Sequence, residues 1–406
     1  MGLRHVMGRL ARLRPGAPAL LGFVVASVVA CAVLAVPRAE STSGQLLAPS
    51  VPRRPDWVAV VVALDGVRWQ EVFSGVDPGL AERASLPASE RRSAHELMPE
   101  LHALIDAGAV ALGAEGSEVY ASGPDFVSLP GYSEILGGRR ESRCVDNSCS
   151  GALVPTILDQ CAELTRERWA CAAIASWSAI ERVAALDRSR VALSTGRYGG
   201  GDTRRVLSED ASTHALLQKA EHQAPYPGYA DFRPDVHTAR IALAYLKRHR
   251  PNVLFVGLGE PDEYGHRNDY RGYLASLTAS DARIGEFSRA LAELAKKGTR
   301  TALFVTTDHG RAKSFAEHGA RYPESARSFV VVAGSEAERF GVRQRGERRL
   351  ADIAPTLREM FGLTRDRHPQ AGTSLLEARA ASVTAARARS LAALARADTG
   401  ESGPVR

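Results

Sequence analysis

From Trp57 to Leu64 the chain reads WVAVVVAL, eight apolar residues without a break, four of them valine. A continuous β-branched run of this kind marks a strand buried on both faces of a parallel sheet. Comparable runs recur at Trp169–Ala175, Asn252–Leu258, Thr301–Thr306 and Ser328–Ala333, and each predicts a central strand. Between them, apolar residues return at helical spacing over Leu97–Ala107, Val154–Glu163, Asp235–Arg248, Tyr273–Lys297 and Leu350–Phe361. Strands that alternate with helices predict an α/β fold, a doubly wound and mostly parallel sheet with helices on both faces. No repeat with a solenoid period is present.

Where the periodicity fails, composition takes over. Residues 40–55, rich in Ser and Pro, read as a linker, and the folded domain spans 56–375. Residues 186–232, rich in Gly, Arg and Asp, predict a long surface excursion near the site. An Ala/Arg-rich helix is expected over 376–396, followed by a loose tail.

The first 39 residues form a segment of their own. Arg4, Arg9, Arg12, Arg14 and Arg38 occur there without a single acid, around an uncharged apolar run from Ala17 to Val36. This is the layout of an export signal. At about 20 residues the run is also long enough to span a bilayer, which favours an uncleaved anchor with the arginines inside and the rest of the chain outside. A cleaved signal is the alternative. Val28-Val29-Ala30-Cys31 has the outline of a bacterial lipobox, but the apolar residues after Cys31 argue against lipidation. The chain is thus expected to be exported, periplasmic or extracellular, and held at the membrane by residues 17–36.

That segment also changes the meaning of the net charge of +6. Without its five arginines, 47 basic residues face 46 acidic ones, a net charge of +1. A nearly neutral body gives nucleic-acid binding no electrostatic support. Five cysteines suit an oxidising compartment. With Cys31 set aside, Cys144, Cys149, Cys161 and Cys171 allow three pairings. The local pairing, Cys144 with Cys149 and Cys161 with Cys171, is the expectation. A zinc site or buried free thiols are the rival readings, although neither spacing is C-x-x-C.

Candidate chemistry sits where ligands bind in a doubly wound sheet, at the carboxyl ends of the strands. The first strand is followed by Asp65-Gly-Val-Arg-Trp69, the strand ending at Leu258 by Glu260-Pro-Asp262-Glu-Tyr-Gly-His266, and the strand ending at Thr306 by Thr307-Asp308-His309-Gly310 and then Glu317-His318-Gly319. Singly, each fragment has an ordinary explanation, a helix cap, a turn or a surface ion pair. Together they bring carboxylates and imidazoles, the ligands of catalytic divalent ions, to one rim. Ser128, in Phe126-Val-Ser128-Leu-Pro130, stands ahead of an expected helix with Pro130 in its first turn. It reads either as a plain N-cap or as a nucleophile activated by metal at a helix N-terminus.

At these residues the sequence resembles the alkaline phosphatase superfamily, in particular its nucleotide pyrophosphatase/phosphodiesterase and cofactor-independent phosphoglycerate mutase branches. The motifs occur in the same order, from Asp65-Gly-x-Arg through Ser128-x-Pro130, Asp262-x-x-Gly-His266 and Asp308-His309-Gly310 to His318-Gly319. The resemblance implies two divalent ions, zinc by the histidine content or manganese. Asp262, His266 and His318 would hold one and Asp65, Asp308 and His309 the other, with Ser128 bridging to the phosphoryl group. It implies that Asn147 hydrogen-bonds a phosphoryl oxygen, the alternative being an ordinary turn residue. The implied activity is hydrolysis of a small phosphate ester, a nucleotide or a lipid or glycan head group, through a phosphoserine. A phosphoryl or head-group transferase or mutase on the same scaffold is one alternative, and a non-catalytic metal-binding surface protein another. Serine stands where the phosphodiesterase branch carries threonine. Tyr132 stands where sulfatases need arginine, which argues against a sulfatase.

Overall fold

A computed structural model describes residues 55–198, 211–336 and 347–375. The Ala17–Val36 run, most of the linker and the expected 376–396 helix lie outside them. Among the described residues no helix is long and apolar enough to cross a membrane.

Strand β1 is Trp57–Leu64, and all eight of its residues are buried. Alternate side chains of a strand point to opposite faces, and here the two sets enter two cores. Ala59, Val61 and Ala63 belong to one hydrophobic cluster, and Val58, Val60, Val62 and Leu64 to the other. That double burial is why the segment is apolar throughout rather than alternating.

The remaining strands are β2 (Val110–Leu112), β3 (Val119–Tyr120), β4 (Cys171–Ala175), β5 (Ala192–Thr195), β6 (Val253–Leu258), β7 (Arg300–Thr306), β8 (Arg327–Ser328), β9 (Val330–Ala333) and β10 (Arg348–Arg349). Seven of them form a sheet in the order β2-β9-β7-β1-β6-β4-β5, and a small second sheet runs β10-β3-β8. Pairings among β7, β1, β6, β4 and β5 are all parallel, whereas β9 is antiparallel to β7 and β2. Helices Ser128–Gly137, Ile157–Thr165 and Ile353–Phe361 bury residues in one core. Helices Pro99–Asp106, Asp235–His249 and Tyr270–Ala295 bury theirs in the other. The doubly wound, mostly parallel α/β expectation therefore holds.

The differences are local and have local causes. The 186–232 stretch is not purely an excursion, because it contains the edge strand β5 and the helix Ala211–His222. Four residues are too few for periodicity to register. Trp169 and Ala170 form a 3₁₀ turn, so β4 starts only at Cys171. The expected helix at 97–107 is two helices, Ala94–Leu97 and Pro99–Asp106. Pro99 disfavours the α conformation in the residue before it. The long helix starts at Tyr270, three residues earlier than expected, because the Asp269 side chain accepts from Gly272 N and caps it. Both local disulfides are present, with Cα–Cα distances of 4.8 Å for Cys144–Cys149 and 6.0 Å for Cys161–Cys171.

Register places the site. Leu64 pairs with Leu258, and Ala63 with Thr306. The three central strands thus end flush, and Asp65 N bonds Leu258 O at 2.8 Å. Whatever follows each strand emerges at the same height on the sheet edge.

Candidate active site

Asp65 follows β1 directly, and Gly66 turns the chain with φ +62°. The turn is tied to the neighbouring strand end. Gly66 N donates to Asp308 Oδ1 at 3.0 Å and Val67 N to Thr307 Oγ1 at 3.0 Å. Beyond β6 the short helix Glu260–His266 carries Asp262 and His266 four residues apart, on one face. His318 returns on the loop after His309.

The eight residues singled out by sequence converge on this edge. His266 Nε2 lies 2.9 Å from Asp262 Oδ2 and 3.1 Å from His318 Nε2, and His318 Nε2 is 3.8 Å from Asp262 Oδ1. At the other end His309 Nε2 is 3.5 Å from both Asp65 Oδ1 and Asp308 Oδ2. Ligand atoms of Asp65, Asp308 and His309 fall within 4.8 Å of one another, as do those of Asp262, His309 and His318. His309 therefore stands between the two groups. The Asp308 and His309 side chains are fully buried, and that of His266 is 49% exposed, so one end is closed and the other meets solvent.

The histidine tautomers follow from their partners. His309 Nδ1 faces Gly310 O at 2.8 Å and His318 Nδ1 faces Phe126 O at 3.0 Å. A carbonyl only accepts, so each Nδ1 carries the proton and each Nε2 aims a lone pair at the carboxylates. Asp308 Oδ2 is buried and accepts no hydrogen bond. Lone pairs converging on carboxylates, with one carboxylate oxygen orphaned, repel one another unless a cation lies between them. This donor set fits divalent ions.

The charge states agree. Burial, then the charges of Asp308 and Asp262, pushes the Asp65 carboxyl well above its usual range. Burial first, opposed by the Gly66 hydrogen bond and reinforced by Asp262, pushes Asp308 to about 7. For Asp262 the largest effect, burial, raises the pKa, but Arg311 and then His318 and His266 together hold it well below. Burial holds His309 at about 4, and burial with the neighbouring His309 holds His318 at about 4, so both rings are neutral at pH 7.

Ser128 is the first residue of its helix, not the residue ahead of it. Val127 is the N-cap, and its own side chain makes no capping hydrogen bond. The Ser128 hydroxyl instead donates to Asp65 Oδ1 at 3.3 Å, with His309 Nε2 at 3.4 Å. Asn147 accepts the Leu129 N–H on Oδ1 at 2.9 Å. Its amide nitrogen is thereby left as a donor beside a cavity of about 270 Å³ that Asn147, Ser128 and Asp65 line. Trp177, Tyr229, Phe232 and Glu263 also line it.

Several residues with work at the site escaped the sequence reading. Tyr132, fully buried, donates to Asp65 Oδ2 at 2.8 Å. Its signal was its place one helical turn after Ser128. Arg311 pairs with Asp262 and directly follows Asp308-His309-Gly310. Tyr229 and Phe232 had only the coarse signal that residues 186–232 run near the site, and Trp177 had none, because periodicity does not predict the path of connecting segments.

A family profile described as the Metalloenzyme superfamily matches residues 222–365. The 2,3-bisphosphoglycerate-independent phosphoglycerate mutase of Syntrophotalea carbinolica is 28% identical over 184 residues, 44% of this chain and 33% of that protein. The phosphopentomutase of Alkaliphilus metalliredigens is 29% identical over 124 residues, 30% of this chain and 29% of that one. The chain thus spans only about a third of the length of these curated relatives. Among solved structures, the phosphonate monoester hydrolase of Agrobacterium radiobacter is similar in fold, with TM-score 0.50 and 14% identity over 79% of this chain and 76% of that one. Sequence matches to two kinds of phosphomutase, a metalloenzyme profile over the strand ends bearing Asp262, Asp308 and His318, and the sheet that carries them all fit the alkaline phosphatase superfamily.

Proposed function

We propose that the chain hydrolyses small phosphate esters through a phosphoserine at Ser128, with two divalent ions, zinc by preference. The observation that carries this reading is the Ser128 hydroxyl. Ser128 is 5% exposed, and its hydroxyl is not used as a cap and lies 3.3 Å from Asp65 and 3.4 Å from His309. Asp262, His266 and His318 would hold one ion and Asp65, Asp308 and His309 the other. When bound, the ions supply positive charge that acidifies the serine hydroxyl and neutralises the phosphoryl and leaving oxygens.

Ser128 Oγ attacks phosphorus, the Oγ–P bond forms, and the P–O bond to the leaving group breaks. The hydroxyl proton ends on the departing alcohol. Water then attacks the phosphoserine, phosphate leaves, and a water proton returns to Ser128. The Asn147 amide donates to an equatorial phosphoryl oxygen. Tyr132, kept neutral because burial and then the Asp65 charge push its pKa well up, fixes Asp65 by donation. Trp177, Tyr229 and Phe232 among the lining residues offer the leaving group apolar surface, compatible with a nucleotide, lipid or glycan head group.

Hydrolysis is favoured over a mutase reaction by the chain between β1 and β6. Its described residues contribute β4 and β5 to the main sheet rather than forming a separate cap. The two disulfides and the N-terminal segment support an exported enzyme tethered at the membrane. The test is zinc-loaded protein assayed on p-nitrophenyl phosphate and bis-p-nitrophenyl phosphate. Turnover of one or both is expected, and their ratio assigns a phosphatase or a phosphodiesterase. Ser128→Ala should lose at least about 10³-fold in kcat while retaining both ions. Near-normal rates in that variant would refute the nucleophile assignment.

A further inference from the structure

Arg311 is fully buried, and its guanidinium is used in three directions. Nη1 donates to Asp262 Oδ1, Nε to Phe315 O at 2.5 Å and Nη2 to Ala316 O at 2.7 Å. The last two acceptors lie in the turn that immediately precedes His318. That turn is closed on itself, since Ala312 N bonds Glu317 O at 2.7 Å and Phe315 N bonds Ala312 O at 2.9 Å. Phe315 holds φ at +81°, a left-handed conformation that a bulky side chain rarely adopts. A structure that keeps it there over-determines it, and the Arg311 Nε bond to its carbonyl is one such restraint.

The path of the side chain is built for it. A Cβ on Gly66 would lie 2.8 Å from Arg311 Nη1, and one on Gly265 would lie 2.4 Å from Arg311 Cζ. Two glycines, one after β1 and one in the helix that bears Asp262 and His266, thus leave the slot through which the guanidinium passes. One fork therefore ties a carboxylate on the β6 side to the backbone that delivers a histidine from the β7 side. A lysine carries the same charge but lacks the planar fork needed to bond three acceptors in fixed directions.

We propose that Arg311 is a positioning residue for the Asp262, His266 and His318 cluster. It sets that cluster's affinity for its ion and leaves the Asp65, Asp308 and His309 cluster largely unaffected. This rests on the reading of both clusters as metal sites. Partners that orient metal ligands typically change affinity by about 10–100-fold when removed.

The experiment uses the full chain as wild type, Arg311→Lys, Arg311→Met and Gly265→Ala. Zinc is the probe. Stoichiometry is read by elemental analysis after passage through metal-free buffer, affinity by competition with a chromophoric chelator, and Tm on the zinc-stripped proteins. Wild type should retain two zinc ions. Each variant should retain one and bind the second about 10–100-fold more weakly, with the stripped Tm of Arg311→Lys and Gly265→Ala near wild type. Gly265→Ala keeps the charge and only displaces the fork, so it remains informative if Arg311→Met does not fold. Variants that bind both ions within about twofold of wild type, or that lose both together, overturn the proposal. Full rescue by Arg311→Lys overturns the claim that the fork, rather than its charge, is what acts. A wild type that binds no zinc would instead refute the metal-site reading itself.

Discussion

At Gly131 an added Cβ would lie 2.3 Å from the carbonyl oxygen of Asp308. Backbone cannot yield there as a flexible side chain could, so glycine is what lets the Ser128 helix press against the strand end that carries Asp308 and His309. Gly131→Ala should move Ser128 relative to Asp65 and lower kcat by about 10²-fold, the cost of a misplacement of about 1 Å. Steady-state kinetics with zinc content measured in parallel check this, and an unchanged kcat would contradict it. At this scale the clustered carboxylates and imidazoles were legible and their supports were not. Asp65, Asp262, His266, Asp308, His309 and His318 could be singled out because chemistry restricts candidate metal ligands to few residue types. Tyr132 and Arg311 act through a hydroxyl and a guanidinium whose aim depends on burial, and a sequence does not display aim.

Elements explain how the parts reach one another. The Ser128 helix is anchored by the buried Glu134, which accepts from Ser122 N, Ser122 Oγ and Ala351 N at 2.8, 2.6 and 3.0 Å. The loop bearing Asn147 is closed by the Cys144–Cys149 disulfide, and Arg182 donates to the Cys149 and Asn147 carbonyls at 3.0 and 3.3 Å. Opening that crosslink frees the loop more than it loosens the sheet. Cys144→Ser with Cys149→Ser should therefore reduce kcat/KM to nearly the level of Asn147→Ala, while Ser128 still becomes phosphorylated. Adding Asn147→Ala to the double variant should cause little further loss, because both changes remove the same donor. Additive losses would show that the loop holds something else. The central strands were readable because double burial demands unbroken apolar runs. β5 was not, being four residues at the sheet edge. Nor was the latch beside it, where fully buried Arg233 bonds Ser194 Oγ at 2.8 Å and Ala175 O at 3.0 Å, and Asp235 accepts from Gly259 N at 2.8 Å. A charged residue inside a core contradicts pattern reading, and only its partners explain it.

For the whole molecule, the site's carboxylates link metal, pH and stability. In zinc-stripped protein Asp308 is pushed up to about 7, above the unfolded value of about 3.9. Its contribution to stability is then complete below about 4 and is lost as pH rises through about 7. His309 and His318, held at about 4, act in the opposite sense, and their gain is only half complete at the unfolded histidine value of about 6.5 and continues towards about pH 8. The two effects offset one another in stripped wild type, so Asp308 is isolated by comparison with Asp308→Asn, which keeps both histidines. Between about pH 6.5 and 8 the Tm of stripped wild type should fall relative to that of stripped Asp308→Asn, by about 2–4 °C. Differential scanning calorimetry of both proteins across the range checks the sign, and a wild-type Tm that rises relative to the variant would contradict it. The central claim, that Ser128 itself takes the phosphoryl group, is tested most directly by acid-quenching zinc-loaded enzyme during turnover of p-nitrophenyl phosphate and mapping phosphate by peptide mass spectrometry. The account predicts one phosphoryl group, on Ser128, absent from Ser128→Ala and accumulating when the second step is slowed. Turnover with no phosphoserine under any quench, or phosphate carried on another residue, would contradict it.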